Sequence, residues 1–135
     1  AAQVMAEAGR FVGEVPMVAH NASFDRTFWV EELARAGLDA SQPFACTVLL
    51  SRRLYPQAPS HRLGALADYH RLPRTGQAHR ALADAEMAAA LLARIQTDLR
   101  ERYAVPEPTH ALLRALQTWP RASVPKRLGE YLCEV

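Results

Sequence analysis

Histidine followed five positions later by aspartate occurs twice in this chain, as His20 and Asp25 in HNASFD and as His79 and Asp84 in HRALAD. Two carboxylates offer hard oxygen ligands to a divalent cation, and a histidine that titrates near neutrality takes a proton from a bound water without much tuning. The chemistry that this set would perform is metal-dependent hydrolysis. With five His and five Asp in the chain, chance yields about one such pair in every five chains of this kind, so one copy would decide little. Two copies, each opening a stretch of helical spacing, carry more weight.

The elements that must position these residues are legible around each copy. Val15 to Ala19 is a short apolar run that reads as a buried strand. Ser23 then caps a helix from about Phe24 to Ala36, with Trp29, Leu33 and Ala36 at i, i+4 and i+7 and Gly37 as its stop. Asp25 therefore falls in the first helical turn beside the sheet, where open α/β sheets place their ligands. Taken alone, Asp25 would more simply complement the helix dipole, His20 would be a satisfied strand-end histidine and Asn21 a turn former. The second copy starts the strongest helical pattern, from about His79 to Arg102, with a stripe of Leu82, Ala85, Ala89, Leu92, Ile95 and Leu99. Asp84, in its second turn, flanks that stripe and is expected to be partly desolvated, so it wants a metal, a cation or hydrogen bonds.

Elsewhere, Val4, Ala8, Phe11 and Val12 give an opening helix that stops at Gly13, and Phe44 to Leu50 forms a second strand candidate. The segment HRLGALADYHRL reads as a helix ended by Pro73 and a turn at Gly76. Two prolines in VPEPT break the chain after Tyr103, Thr109 caps a short helix that ends at Pro120, and Val124 to Leu132 forms a last segment. The pattern predicts an α/β domain over residues 1–104 and a Pro-containing helical tail over 105–135 that packs on it.

Composition bounds the function classes. The chain has 135 residues, half of them apolar and 22% charged, which is one globular domain rather than a disordered segment. No apolar run approaches bilayer length and the first residues lack an export signal, so a soluble protein with no membrane partner is expected. Cys46 and Cys133 have no metal-ligand spacing, and two isolated thiols fit a reducing cytoplasm better than a disulfide framework. The formal net charge is +2, but fifteen of the sixteen basic residues are arginine. Arginine's planar fork suits phosphate, although so Ala- and Arg-rich a chain also reflects a GC-rich genome.

HNASFD and HRALADA resemble the second and third motifs of the DEDDh exonucleases, the DnaQ-like family that includes the proofreading subunit of bacterial DNA polymerase III. Order, separation, the apolar strand before the first and the Ala-rich helix after the second all match, over roughly residues 1–104. The resemblance implies a ribonuclease H-like fold and a 3′-to-5′ exonuclease that uses two divalent ions, Mg2+ or Mn2+. By it, Asp25 and Asp84 are metal ligands, His79 is the general base, and His20, Asn21 and Phe24 shape the substrate site. The implied partners are the 3′ end of single-stranded DNA or RNA and a DNA polymerase subunit, in proofreading or repair. Arg52, Arg53, Arg62, Arg74 and Arg80, around the motifs, are then candidates to track a phosphate backbone.

The family's first motif, Asp-x-Glu on an N-terminal strand, has no counterpart here. The chain's Asp84-Ala85-Glu86 cannot replace it, because positions i and i+2 of a helix point in different directions. The sequence is therefore expected to be the C-terminal part of an exonuclease domain without its first strands, with negligible nuclease activity by itself. Two competing readings remain: a catalytically inactive nucleic-acid-binding or scaffold module of the same fold, and an unrelated metal phosphohydrolase acting on nucleotides.

Overall fold

Pro16 ends the turn after the first helix and delivers the chain into a strand that hands over to a helix, and the same hand-over recurs after Pro43. In the computed structural model, residues 2–73 and 80–134 are described, and they form seven α-helices and two strands. Helix α1 (Ala2–Val12) stops at Gly13, whose φ of 58° only glycine adopts freely. Strand β1 (Met17–Ala19), helix α2 (Ala22–Arg35) and strand β2 (Phe44–Cys46) make a β-α-β unit, since the strands pair in parallel with Met17 opposite Phe44 and Ala19 opposite Cys46. Parallel neighbours need such a crossover. Helices α3 (Thr47–Leu54), α4 (Leu63–Tyr69), α5 (Arg80–Tyr103) and α6 (His110–Leu116) follow, then a 3₁₀ turn (Arg121–Ser123) and α7 (Val124–Glu134).

Three local expectations shift. Asn21, not Ser23, occupies the N-cap of α2, in the left-handed region at φ 65° and with no side-chain cap bond. The Phe24 amide donates to the Asn21 carbonyl at 3.1 Å, and asparagine tolerates this backbone where most residues do not. The second strand ends at Cys46 instead of Leu50, because the apolar residues after it follow a helical repeat: Leu50 and Leu54, one turn apart, are both buried. A short apolar run alone does not distinguish the two. In α5 the fully buried positions are Leu91, Ile95 and Leu99, whereas Leu82 is 57% exposed and Asp84 is exposed rather than desolvated.

The main core joins these leucines to Leu50, Leu54, Tyr55 and Leu66 from α3, α4 and the loop between them. Residues beyond 104 belong to the same core through Leu112, Leu113, Leu116, Val124 and Leu128. The tail also supports the sheet. The Gln117 side chain accepts from the Cys46 amide at 2.7 Å and donates to the Phe44 carbonyl at 3.3 Å, bonding β2 through one amide as a neighbouring strand would. His110 Nε2 donates to the Met17 carbonyl at 3.1 Å, so α6 holds both strands. Thr109 caps α6 as expected, its hydroxyl accepting from the Leu112 amide.

Helix α1 meets α2 at Gly9, where an added Cβ would lie 2.8 Å from Leu33 Cδ2. The outer side of that layer is apolar, with Val4, Phe11, Val15, Phe24 and Phe28 all exposed, Phe11 by 91%. Among the described residues no helix is long and apolar enough to cross a membrane.

Candidate active site

Asp25 and Asp84 line one cavity of about 640 Å³. The first carboxylate is delivered by the hand-over from β1 to α2, which sets it in the first turn of α2. The second comes from α5, which packs across β1. Val18, Ala19 and His20 at the end of β1 complete one wall, and Ala81, Ala85 and Ala88 of α5 line another. Methyl side chains leave the space that larger residues would fill. Both carboxylates are exposed, and neither hydrogen-bonds or ion-pairs with a described residue. Their oxygen lone pairs remain open to a cation.

His20 is a wall of this cavity held from two sides. Its Nε2 lies 2.9 Å from the His61 carbonyl, which only accepts, so Nε2 carries a proton. Its Nδ1 lies 2.8 Å from Thr47 Oγ1. Burial pushes the His20 pKa below the usual histidine range; the His61 carbonyl opposes this, Arg52 adds to it and Asp25 opposes it. The neutral ring then accepts the Thr47 hydroxyl proton at Nδ1, and the imidazole ties the end of β1 to the start of α3 and to the loop before α4. With both nitrogens engaged, the ring is fixed in place at the cavity wall.

The remaining sequence candidates separate. Asn21 lines a neighbouring cavity that also includes His20. Phe24 is 71% exposed and lines neither cavity. His79 lies outside the described residues, as do Arg74 and the side chain of Arg80. Arg53 is spent on structure, donating from Nε to the Trp119 carbonyl at 2.6 Å and from Nη1 to the Leu49 carbonyl at 3.0 Å. Arg52 and Arg62 are exposed beside the neighbouring cavity. Thr47 and His61, the partners of His20, carried no signal in the sequence, being 27 and 41 residues away from it.

Two carboxylates on one cavity fit part of the oxygen shell of Mg2+ or Mn2+, which prefer such hard ligands. They do not complete it. Among the described residues there is no group of three or more His, Cys, Asp or Glu side chains placed to hold a metal.

The chain is similar to known proteins over most of its length. A family model described as an exonuclease, of the RNase T type, matches residues 2–92, which include both His/Asp motifs. The PolC-type DNA polymerase III of Halalkalibacterium halodurans is 40% identical over 101 residues, 74% of this chain and 7% of that protein. The PolC-type enzymes of Latilactobacillus sakei and Bacillus subtilis are 33% identical over 103 residues and 37% identical over 95, covering 76% and 68% of this chain. The chain thus spans only 7% and 6% of the length of those two relatives. No solved structure is a significant match. With a family match running through most of the chain and relatives sharing a third or more of its residues there, the chain belongs to the DnaQ-like exonuclease family.

Proposed function

We propose that this chain carries part of a 3′-to-5′ exonuclease site in a ribonuclease H-like domain, acting on the 3′ end of single-stranded DNA or RNA in proofreading or repair. The observation that carries the reading is the arrival of Asp25 and Asp84, from distant parts of the sequence, at one open cavity. In it the two carboxylates would supply part of the ligand set of two divalent ions, Mg2+ or Mn2+, and His79 is the general base. When bound, such ions supply charge stabilisation at the phosphate and leaving oxygen. His79 takes a proton from the attacking water as its oxygen bonds to phosphorus, the P–O bond to the preceding nucleotide's 3′ oxygen breaks, that oxygen takes up a proton from solvent, and a nucleoside 5′-monophosphate leaves. His20 and Asn21 shape the substrate site, and Phe24, which lines neither cavity, meets the strand outside them with its exposed ring.

Among the described residues two carboxylates leave a two-ion site short of ligands, so the site needs further oxygen donors. The exposed apolar surface of α1 and α2 supports a further layer. It follows that the 135 residues alone have negligible nuclease activity. Residues 1–104 form the exonuclease unit and 105–135 its helical tail; the partner is a DNA polymerase, as the names of the relatives indicate, and the compartment is the cytoplasm, which suits two free thiols. That no third ligand stands beside Asp25 and Asp84 among the described residues favours one alternative, a nucleic-acid-binding or scaffold module without catalysis.

Mn2+ titration followed by NMR separates these readings. Paramagnetic broadening should centre on the amides around Asp25 and Asp84 and vanish in the Asp25→Asn/Asp84→Asn variant. In the protein as its gene encodes it, Mg2+ should support stepwise shortening of labelled single-stranded DNA from the 3′ end, lost on Asp84→Asn. Undirected broadening together with an unshortened strand would reject the enzyme.

A further inference from the structure

A second cavity, also of about 640 Å³, lies against the first and shares His20 and Leu63 with it as a dividing wall. Its chemistry is opposite. Where the first presents Asp25 and Asp84, the second presents Arg52 from α3 and Arg62 from the residue before α4. Both guanidinium groups are exposed, and neither pairs with a carboxylate of a described residue. This distinguishes them from Arg53, which is committed to two carbonyls, and from Arg94, which pairs with Asp98 at 3.2 Å. The same cavity is lined by Val48 and Leu49, half-buried apolar side chains of a size to lie under a base, and by Asn21. Two cations beside an apolar floor match a phosphate joined to a nucleobase.

We propose that this second cavity seats the nucleotide immediately preceding the one removed, with Arg52 and Arg62 on its phosphates. The assignment rests on the exonuclease reading of the first cavity and adds a division of labour to it. An acidic cavity repels a phosphodiester until cations occupy it, so affinity for the strand comes from the basic neighbour and chemistry from the acidic side. The nucleotide that keeps the leaving 3′ oxygen is then held across the His20 wall from the reacting phosphate. His20, fixed between Thr47 and the His61 carbonyl, sets the spacing between the two seats.

The test is binding of a 5′-fluorescein thymidine oligonucleotide in EDTA, where no hydrolysis occurs, read by anisotropy over a range of salt. Thymidine 5′-monophosphate and inorganic phosphate serve as competitors, to separate recognition of a strand from recognition of a free anion. The Arg52→Ala/Arg62→Ala variant should bind the oligonucleotide about tenfold or more weakly, with a logarithmic salt slope shallower by roughly 1.4, two contacts at about 0.7 each. Arg100→Ala/Arg121→Ala, also exposed, should bind as the parent does. Inorganic phosphate should compete poorly. The proposal is overturned if the parent does not bind the strand, if the Arg52/Arg62 variant binds it equally well, or if the control pair loses as much. Because no turnover is read, a failed nuclease assay leaves this result intact, and a failed binding assay leaves the Mn2+ result intact.

Discussion

A histidine whose Nε2 faces a carbonyl has its tautomer chosen for it, and that choice makes the hydrogen bonding of His20 depend on its protonation. Protonation at Nδ1 would turn the Thr47 hydroxyl from donor to acceptor and leave it only the Ala19 carbonyl, at 3.4 Å, as an acceptor. Burial lowers the pKa of His20, and burial followed by the charge of Arg94 lowers that of His70, against the pull of Asp98. A group whose folded pKa lies below its unfolded one contributes fully above the unfolded value, near 6.5, and the contribution falls as pH drops below it toward the folded pKa. The melting temperature should therefore hold steady above about pH 6.5 and decline as pH falls below it. His20→Gln keeps a donor toward His61 and removes one titration, so its decline should be shallower; an equal slope by calorimetry would contradict a contribution of His20 to the acid loss. None of these partners was readable from HNASFD, which announces a histidine but not what fixes it.

At the scale of elements, a two-stranded parallel sheet is too small to stand alone, and its support comes from a helix near the other end of the chain. Gln117 gives β2 the donor and acceptor of a missing neighbour. Gln117→Ala should cost about 1–3 kcal/mol in urea denaturation, because it strands a buried amide and a carbonyl. Gln117→Glu, which still accepts from Cys46 but cannot donate to Phe44, should fall between parent and alanine; no loss in either variant would remove the sheet-edge role. The helices themselves were largely legible. Thr109 as a cap, Gly13 and Gly37 as stops, and the long α5 follow from residue types within a few positions. The errors came at Ser23 and after Cys46, where the choice between neighbouring starts, or between strand and helix, depends on what the side chains pack against.

Across the whole molecule, burial is lopsided. The main core reaches from α3 to α7, while α1 and the outer side of α2 present Val4, Phe11, Phe24 and Phe28 to solvent. Apolar surface of this kind promotes association. Phe11→Ser combined with Phe28→Ser should reduce self-association in sedimentation velocity while shifting unfolding free energy by no more than about 0.5 kcal/mol per site, as exposed substitutions do. A large loss of stability would instead mean that these rings are packed in solution.

By itself the sequence determined the chemistry on offer and its local setting: two His/Asp motifs at helix starts, an Ala-rich long helix and a tail that packs. These are properties of residues a few positions apart, where periodicity and capping act. Only the tertiary structure decided that Asp25 and Asp84 share a cavity, that Arg53 is structural while Arg52 and Arg62 remain open, and that one glutamine completes a sheet edge 71 residues away. Those outcomes depend on which surfaces meet when the core closes, and no pattern confined to neighbouring residues encodes them.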